Sequence, residues 1–334
     1  MKFYILILSL LLSSSLAAHP GIGIVKDSKG NIYYTDLSQV WKISPDGNPQ
    51  DAVHKTAVVS HVHTHELYMD ANDNLYGEHV WYNGEQADTW GHFAWCLRHT
   101  GKLDTVIKPT TGFLTDYSFV RDDAGNMYWV QRFTISKFKK KTANGRVTTI
   151  AEGKFKNIRW MYAGKNGTIY FADLTELYKL ENGKFTLLAS HLQERTSVLE
   201  YGSLIHNVYG IWTDKYGDIY VAIHGGQVVK KITQNGEISN VIYSSGTWRP
   251  DSGLFDDAGN LWLLESNLSD EVRVRKILQK DLASPPSAFP HLTRKSIPVI
   301  IIAAVFILAA LLLFFTGTKI IHMKNKKFIS PLSA

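Results

Sequence analysis

Short apolar runs alternate with polar turns along most of this chain of 334 residues. Six times, an apolar run leads into a turn that has the pattern Asp-x-x-Gly-Asn or a close equivalent of it, and a run rich in aromatic and β-branched residues follows it. Gly and Asn accept the backbone conformations of tight hairpin turns, and the flanking residues favour strands, so each copy predicts a β-hairpin. The six copies begin at Asp27, Asp70, Asp122, Gly164, Asp214 and Asp256.

Further strand-like runs follow each hairpin, so that most copies predict four strands, which we label a to d in chain order. In the first copy, strand c is predicted at Val40–Ile43 and is followed by the turn Pro45-Asp46-Gly47. Equivalent positions recur every 42 to 52 residues, which is the length that a four-stranded propeller blade needs. Because ring closure also removes exposed strand edges, the pattern predicts an all-β fold, a six-bladed β-propeller over residues 19–283.

The sixth copy departs from this pattern, because no convincing strand d follows its strand c. Either a short strand near 284–292 completes the blade, or the sixth blade has three strands. The second copy is the longest, and its b–c connection holds extra residues that include Tyr82, Trp90 and His92. The second blade is therefore predicted to carry additional structure beside the channel.

Apolar segments at both ends of the chain lie outside the repeats. Residues 1–18 combine an early lysine, a short apolar run and small residues, which is typical of a cleaved secretory signal peptide. Residues 297–318 carry no charge and are long enough to cross a hydrocarbon core of about 30 Å as a transmembrane helix. Between the propeller and this helix, residues 284–296 predict a proline-containing linker. Residues 319–334 form a short basic tail, which places the tail in the cytoplasm and the propeller outside it, in a periplasm or at a cell surface.

Charge and cysteine content add two limits. The formal net charge is +6, and much of it lies in the tail, so the propeller is close to neutral and no nucleic-acid partner is predicted. The single cysteine, Cys96, excludes an intrachain disulfide, so an exported domain of this kind must be stabilised by its core.

The units GIVKDSKGNIYYTD and YGIWTDKYGDIYVAIHGGQVVKKITQNGEI resemble the NHL repeat. Over roughly residues 19–280 the chain is similar to the group of six-bladed propellers that contains NHL proteins and gluconolactonase-like enzymes. The resemblance implies the fold, but the group includes lactonases, lyases and binding platforms, so it does not settle the function. Gluconolactonase-like enzymes use an acidic residue at the first strand a, whereas this chain has His19-Pro20-Gly21-Ile22-Gly23 there, which argues against lactonase activity.

The d–a and b–c connections of a propeller open on the same face, around the mouth of the central channel. Polar or ionisable residues occupy these connections in nearly every blade, and convergent polar groups in a concave site favour ligand binding. Solvation of ordinary strand ends is the alternative explanation for any one of them. The predicted ligand-binding residues are Asp36, Gln131, Arg159, Asp173, His206, His224, Arg249, Asp251 and Glu265.

Histidines are concentrated in the second copy. The segment His61-Val62-His63-Thr64-His65 would place three imidazoles on one side of an extended strand. Imidazoles suit a divalent transition metal such as Zn, Fe, Mn or Cu, and histidine also serves as a general base. Histidines with only structural hydrogen bonds are the alternative. The predicted metal ligands are His61, His63, His65, His79 and His92.

Two functions fit these patterns. The first is a membrane-anchored, extracytoplasmic propeller that binds a small molecule or a protein on its channel-mouth face. The second is a metal-dependent hydrolase or lyase with a histidine-rich site at the same mouth. The sequence carries no phosphate-binding loop and no nucleophile-elbow motif, and it identifies no catalytic residue.

Overall fold

A computed structural model describes residues 21–45, 55–84, 86–87, 89–113, 119–132, 134–193, 208–267, 269 and 271–282. The predicted signal peptide, linker, membrane helix and basic tail lie outside these ranges. None of the helices within them is both long and apolar enough to cross a membrane.

The described strands form an all-β, six-bladed β-propeller whose blades are antiparallel sheets in chain order. The first two blades contain β1 (Ile24–Lys26), β2 (Ile32–Thr35), β3 (Leu37–Ile43), β4 (Lys55–Thr64), β5 (Leu67–Met69), β6 (Leu75–Tyr82), β7 (Trp90–Leu97) and β8 (Leu103–Phe113). The third and fourth contain β9 (Val120–Arg121), β10 (Met127–Gln131), β11 (Ser136–Lys141), β12 (Val147–Gly153), β13 (Ile158–Ala163), β14 (Ile169–Asp173), β15 (Glu176–Glu181) and β16 (Lys184–Ala189). The fifth contains β17 (Val208–Thr213), β18 (Ile219–Ile223), β19 (Val228–Ile232) and β20 (Ile238–Tyr243).

The sixth blade differs from the others, because its described part has three strands. These are β21 (Arg249–Phe255), β22 (Leu261–Ser266) and β23 (Val272–Ile277), and a short helix, α1 (Gln279–Leu282), follows them. A fourth strand near 284–292, the other possibility raised by the sequence, would lie beyond the described residues.

Apolar side chains from the first and last blades close the ring. Ile24 and Ile32 pack in one buried cluster with Trp262 and Leu264. The other clusters likewise join neighbouring blades, so the core is a set of layers between sheets. Burial of these apolar surfaces provides the main stabilisation that a domain without disulfides requires.

The repeated aspartates hold the a–b turns together. In the third blade, Asp122 Oδ1 accepts hydrogen bonds from the backbone N–H groups of Ala124 and Asn126, at 3.0 and 2.9 Å. Asp122 Oδ2 accepts from Asn126 Nδ2 at 2.8 Å and from the Tyr128 hydroxyl at 2.7 Å. The same carboxylate arrangement recurs at Asp27, Asp70 and Asp256. We call this side of the ring the turn face and the opposite side, with the d–a and b–c connections, the mouth face.

The second blade carries the extra residues in longer strands rather than in a loop. Strands β6 and β7 pair from Leu75 opposite Leu97 to Tyr82 opposite Trp90, so His92 lies within a strand and the predicted long b–c connection is wrong in this respect. Gly91 makes the extension possible, because a Cβ there would lie 2.2 Å from the Trp81 ring.

Candidate functional site

The first part of the site is the turn that follows β18 in the fifth blade. A single turn of 3-10 helix begins at His224. Arg249 Nη1 donates to the His224 carbonyl oxygen at 3.2 Å. At the other end of the turn, Gln227 takes a left-handed conformation with φ 54°, and its Nε2 donates to the Trp248 carbonyl oxygen at 2.9 Å. These bonds fix the backbone of the turn that carries the His224 imidazole.

Asp251, in β21, is the partner of that imidazole. The distance between His224 Nδ1 and Asp251 Oδ1 is 2.8 Å, and Ser266 Oγ donates to the same oxygen at 3.1 Å. Asp251 has no solvent-exposed surface, and Oδ2 has no hydrogen-bond partner among the residues that the structure describes. Burial raises the pKa of the Asp251 carboxyl, and the bonds from His224 and Ser266 offset this only in part. A buried carboxylate oxygen without a donor costs free energy, and such perturbed groups cluster at functional sites.

A glycine allows the two strands that carry this pair to approach closely. Gly210 lies in β17, and a Cβ added there would be 2.5 Å from Ser252 Oγ and 2.6 Å from the Asp251 carbonyl oxygen. Any larger residue would push β17 and β21 apart. The site geometry therefore depends on a residue that bears no functional group.

Aromatic rings extend from His224 to the histidines of the second blade. The ring centroids are 4.5 Å apart between His224 and Tyr209, 5.5 Å between Tyr209 and Trp160, and 6.1 Å between Trp160 and His65. His65 lies 4.6 Å from His63. We call these five residues the aromatic row. Because its members come from three different blades and from the connection before β5, the row links opposite sides of the mouth face.

His63 and His65 are the two predicted metal ligands that the fold brings together. Their Nε2 atoms are 3.0 Å apart. His79 lies beside them, since its Nδ1 accepts the backbone N–H of His63 at 2.7 Å. Burial lowers the pKa of both His63 and His79.

The strict alternation that predicted three imidazoles on one side does not hold through His61. Its side chain is exposed and its φ is 62°. The pairing of β3 with β4 also shifts register between Leu37 and Gln39. Extra residues bulge from β4 at this point, and a bulge interrupts the two-residue period of a strand.

His92 belongs to a separate cavity between the second and third blades. Its ring stacks on Phe119, with centroids 4.7 Å apart. Glu66, Glu78 and Arg121 line the same cavity, whose volume is about 30 Å³, which suits one or two water molecules. Burial lowers the pKa of His92 to about 4, so this imidazole is neutral at physiological pH.

No group of three or more His, Cys, Asp or Glu side chains is placed to hold a metal ion within the described ranges. Metal binding by the five histidines therefore stays a prediction. The Nε2 atoms of His63 and His65, which share a hydrogen bond, are the two imidazole nitrogens of this set that the structure places in contact.

Two predicted ligand-binding aspartates take part in local structure. Asp36 accepts two backbone N–H groups of its own turn and the Trp41 indole N–H, the latter at 2.7 Å. Asp173 is buried and accepts the backbone N–H groups of Lys156 and Asn157, at 3.0 and 2.6 Å. These bonds hold connections of the mouth face in place.

Glu265 is also engaged within the protein. Ser244 Oγ donates to Oε1 at 2.6 Å, Arg273 Nε donates to Oε2 at 2.8 Å, and Arg275 Nη2 donates to Oε1 at 2.9 Å. The Arg273 guanidinium lies over the Trp248 ring, 4.1 Å from its centroid. Glu265 thereby joins the fifth blade to the sixth.

The remaining predicted residues are placed less completely. Gln131 ends β10, is half-buried and pairs with Lys137 of β11. Arg159 lies in β13, and His206 lies outside the described residues. A binding role for the predicted mouth-face residues stays a prediction.

Sequence reasoning missed Trp160, Tyr209 and Ser266. The two aromatic residues lie in strands a of the fourth and fifth blades, where a large apolar side chain is normally assigned to the hydrophobic core. Both residues are near the start of strand a, and that part of each blade lines the channel. This shared position was the signal that could have identified them as site residues.

Solved structures of other proteins resemble the fold of this chain. No protein-family model and no curated protein matches the chain. An auxiliary nutrient binding protein from Bacteroides thetaiotaomicron is 11% identical, with a TM-score of 0.54 over 78% of this chain and 69% of that chain. A gluconolactonase from Xanthomonas campestris is 12% identical, with a TM-score of 0.53 over 78% and 86% of the two chains.

A virginiamycin B lyase from Staphylococcus aureus is 13% identical, and the match covers 78% of this chain and 85% of that chain. Its TM-score is 0.45, which is too low for a structural conclusion. Binding proteins and enzymes thus share this architecture at identities too low to transfer function. What the likenesses show is the fold alone, a β-propeller, in agreement with the six sheets of this chain.

Proposed function

We propose that this protein is a membrane-anchored, extracytoplasmic β-propeller that binds a small polar molecule or a protein partner on its mouth face. The observation that carries the proposal is the fully buried Asp251, whose Oδ2 lacks a hydrogen-bond donor among the described residues. His224, whose side chain is 16% exposed, is the member of the pair that a ligand meets first. A ligand with a hydroxyl, amide or ammonium group would supply the missing donor once the side chains that cover Asp251 move aside.

The surroundings of Asp251 support recognition rather than simple stabilisation. Arg249 and Gln227 hold the turn that presents His224, so this turn needs little ordering when a ligand binds. The Tyr209 ring packs against the His224 ring at a tilt of 34° and gives the polar pair an apolar wall. Ligand sites in proteins commonly combine apolar walls with a few fixed polar groups.

Direct binding measurements test the proposal. The full-length protein in detergent micelles would be screened by thermal shift against sugars, sugar lactones, amino acids and short peptides. We expect at least one class to raise the melting temperature, with affinity falling tenfold or more in Asp251→Asn and His224→Gln.

A matched control is available on the turn face. His99 is exposed there and contributes its backbone N–H to Asn74 Oδ1, so His99→Gln should bind like the wild type. Equal affinities in wild type, Asp251→Asn and His224→Gln would contradict the assignment of the site to this pair.

The membrane anchor and the export of the propeller are tested separately. Protease added to intact cells should digest the propeller and leave the basic tail protected. Deletion of residues 297–334 should release the propeller from the membrane fraction. A propeller that resists protease until the membrane is permeabilised would contradict an extracytoplasmic position.

The alternative is a metal-dependent hydrolase or lyase, and the contact between His224 and Asp251 favours it. A carboxylate bonded to Nδ1 holds an imidazole so that Nε2 can take a proton from a substrate or from water. Turnover of ester, lactone or uronate substrates, abolished by His224→Gln and by a chelator, would support this alternative. Binding without turnover would support the binding protein.

A further inference from the structure

We infer that His63 and His65 form a two-nitrogen site for a divalent transition-metal ion on the mouth face. The inference deepens the proposed function and rests on it, because the bound ion would be a group through which this face holds its ligand. The site needs no metal-binding residue from the rest of the described chain.

The two imidazoles already meet through the nitrogens that would bind a metal. Their Nε2 atoms share a hydrogen bond at 3.0 Å, while their centroids, at 4.6 Å, are only 1.6 Å farther apart than the nitrogens. A head-on N–H···N bond would add two ring radii, about 2.3 Å, to the nitrogen separation. The shared hydrogen bond is therefore bent, and an ion that displaced its proton would meet both nitrogens.

The separation of the two nitrogens suits one metal ion. Two imidazole nitrogens bound to the same ion at the metal–imidazole distance of about 2.0–2.1 Å lie roughly 2.8–3.4 Å apart, and the 3.0 Å between His63 Nε2 and His65 Nε2 falls within that range. The planes of the two rings are 89° apart, which keeps the rings from colliding around a common ion.

The same geometry selects the kind of ion. Two nitrogens 3.0 Å apart and about 2.1 Å from an ion subtend an angle of roughly 90°, smaller than the tetrahedral angle that zinc prefers. Right-angle coordination by nitrogen and oxygen is typical of Cu²⁺ and Ni²⁺. The coordination positions that the protein leaves open would accept water or oxygen and nitrogen atoms of a ligand.

The segment that carries the pair is rigid before any ion binds. Thr64, between the two histidines, is fully buried. Its Oγ1 donates to the Glu78 carbonyl oxygen at 2.6 Å, and its own carbonyl oxygen accepts the Thr35 hydroxyl at 2.9 Å. Fixed outer contacts of this kind orient metal ligands and increase affinity.

Metal titration of the untagged full-length protein in detergent tests the inference. Calorimetry with Cu²⁺, Ni²⁺ and Zn²⁺ should show about one tight Cu²⁺ per chain, Ni²⁺ weaker and Zn²⁺ weaker than Cu²⁺. The electron paramagnetic resonance spectrum of the Cu²⁺ form should show coupling to two nitrogens. Absence of a stoichiometric site would overturn the inference.

Matched variants assign the site. His63→Gln and His65→Gln should each weaken Cu²⁺ binding tenfold or more, and His61→Gln, an exposed histidine of the same segment, should not. If His65→Gln fails to fold because that side chain is buried, the half-buried His63 decides the question alone. Equal weakening by His61→Gln would place the ion elsewhere and overturn the assignment.

Repeating the ligand screen with a chelator separates this inference from the proposed function. Ligand binding that survives the chelator yet is lost in Asp251→Asn overturns the role of the metal and leaves the binding function standing. Cu²⁺ bound at the pair, with no ligand that depends on the mouth face, supports the metal site and contradicts the binding function.

Discussion

Asp122 and Asp251 are both buried aspartates in strand-end positions, one on the turn face and one on the mouth face. The four hydrogen bonds of Asp122 satisfy both of its oxygens. Burial alone would raise its pKa, but the bonds from Asn126 and Tyr128 outweigh burial, and the pKa of Asp122 is lowered. At Asp251 the two bonds fall on one oxygen, and the pKa is raised.

The difference shows how one residue type serves two purposes in this ring. On the turn face, the donors of Asp122 come from its own hairpin, within six residues, so the repeat sequence itself satisfies the carboxylate. On the mouth face, the donors of Asp251 come from the neighbouring blade and from the next strand of its own blade. An incompletely satisfied buried charge is tolerated where function requires it and is otherwise unfavourable.

The largest effect is expected from removing the satisfied carboxylate. Asp122→Ala should lower the free energy of unfolding by about 3 kcal/mol, because the buried Tyr128 hydroxyl and the Asn126 amide lose their acceptor. Chemical denaturation of the full-length protein, followed by tryptophan fluorescence, measures this change. The exposed neighbour Asp123 supplies the control, since Asp123→Ala should change stability by less than about 0.5 kcal/mol. Similar losses in both variants would contradict the structural role of the network.

The sequence predicted what local chemistry determines. The spacing of the Asp-x-x-Gly-Asn turns was enough for the number of blades, because each turn is satisfied by residues of its own hairpin. Strand-end positions likewise identified His224 and Asp251 as mouth-face residues. The sequence did not distinguish Asp173 from Asp251, because the donors that satisfy Asp173, from Lys156 and Asn157, are far away in sequence.

Other errors have the same origin in non-local packing. The β6–β7 extension depends on Trp81 lying against Gly91. The alternation of apolar and polar residues does not predict this contact. The bulge in β4 that separates His61 from His63 depends on its pairing with β3. Register and bulges are fixed by contacts between strands. The sequence could therefore assign candidate site residues to the mouth face, but it could not identify which two of them are in contact.

The second predicted effect, of similar size, is a loss of stability at low pH caused by the buried base His92. The pKa of His92 is about 4 in the folded protein and about 6.5 when unfolded. The folded state therefore binds fewer protons between these values, and stability is lost as the pH falls from about 6.5 to 4, by about 3 kcal/mol. Glu66, Glu78 and Arg121 face the same cavity, so the slope of the wild type contains their contributions too.

The difference between wild type and His92→Gln isolates the histidine. Unfolding free energies measured at several pH values should show a shallower slope in the variant over this window. His99→Gln, which changes an exposed histidine, should keep the slope of the wild type. Parallel slopes in wild type and His92→Gln would mean that His92 is protonated inside the fold at higher pH than its burial indicates.

The smallest effect on stability, and the sharpest test of the comparison, is expected at Asp251. Asp251→Asn keeps one oxygen as an acceptor and removes a buried charge, so the free energy of unfolding should change by less than about 1 kcal/mol at neutral pH. Asp173→Asn makes the same substitution on the same face, but there an amide N–H₂ would meet a backbone N–H, and a loss of about 2 kcal/mol is expected.

The pH dependence of stability tests the role of Asp251 a second time. Because the folded pKa of Asp251 is raised, the cost of its buried charge applies above that pKa and disappears as the pH falls through it. As the medium is acidified, the wild type should therefore gain stability relative to Asp251→Asn. The pKa of Asp122 is lowered, so on acidification the wild type should lose stability relative to Asp122→Ala. If Asp251→Asn instead destabilises the fold as much as Asp173→Asn, the carboxylate of Asp251 is satisfied in solution, and it is not the group that awaits a ligand.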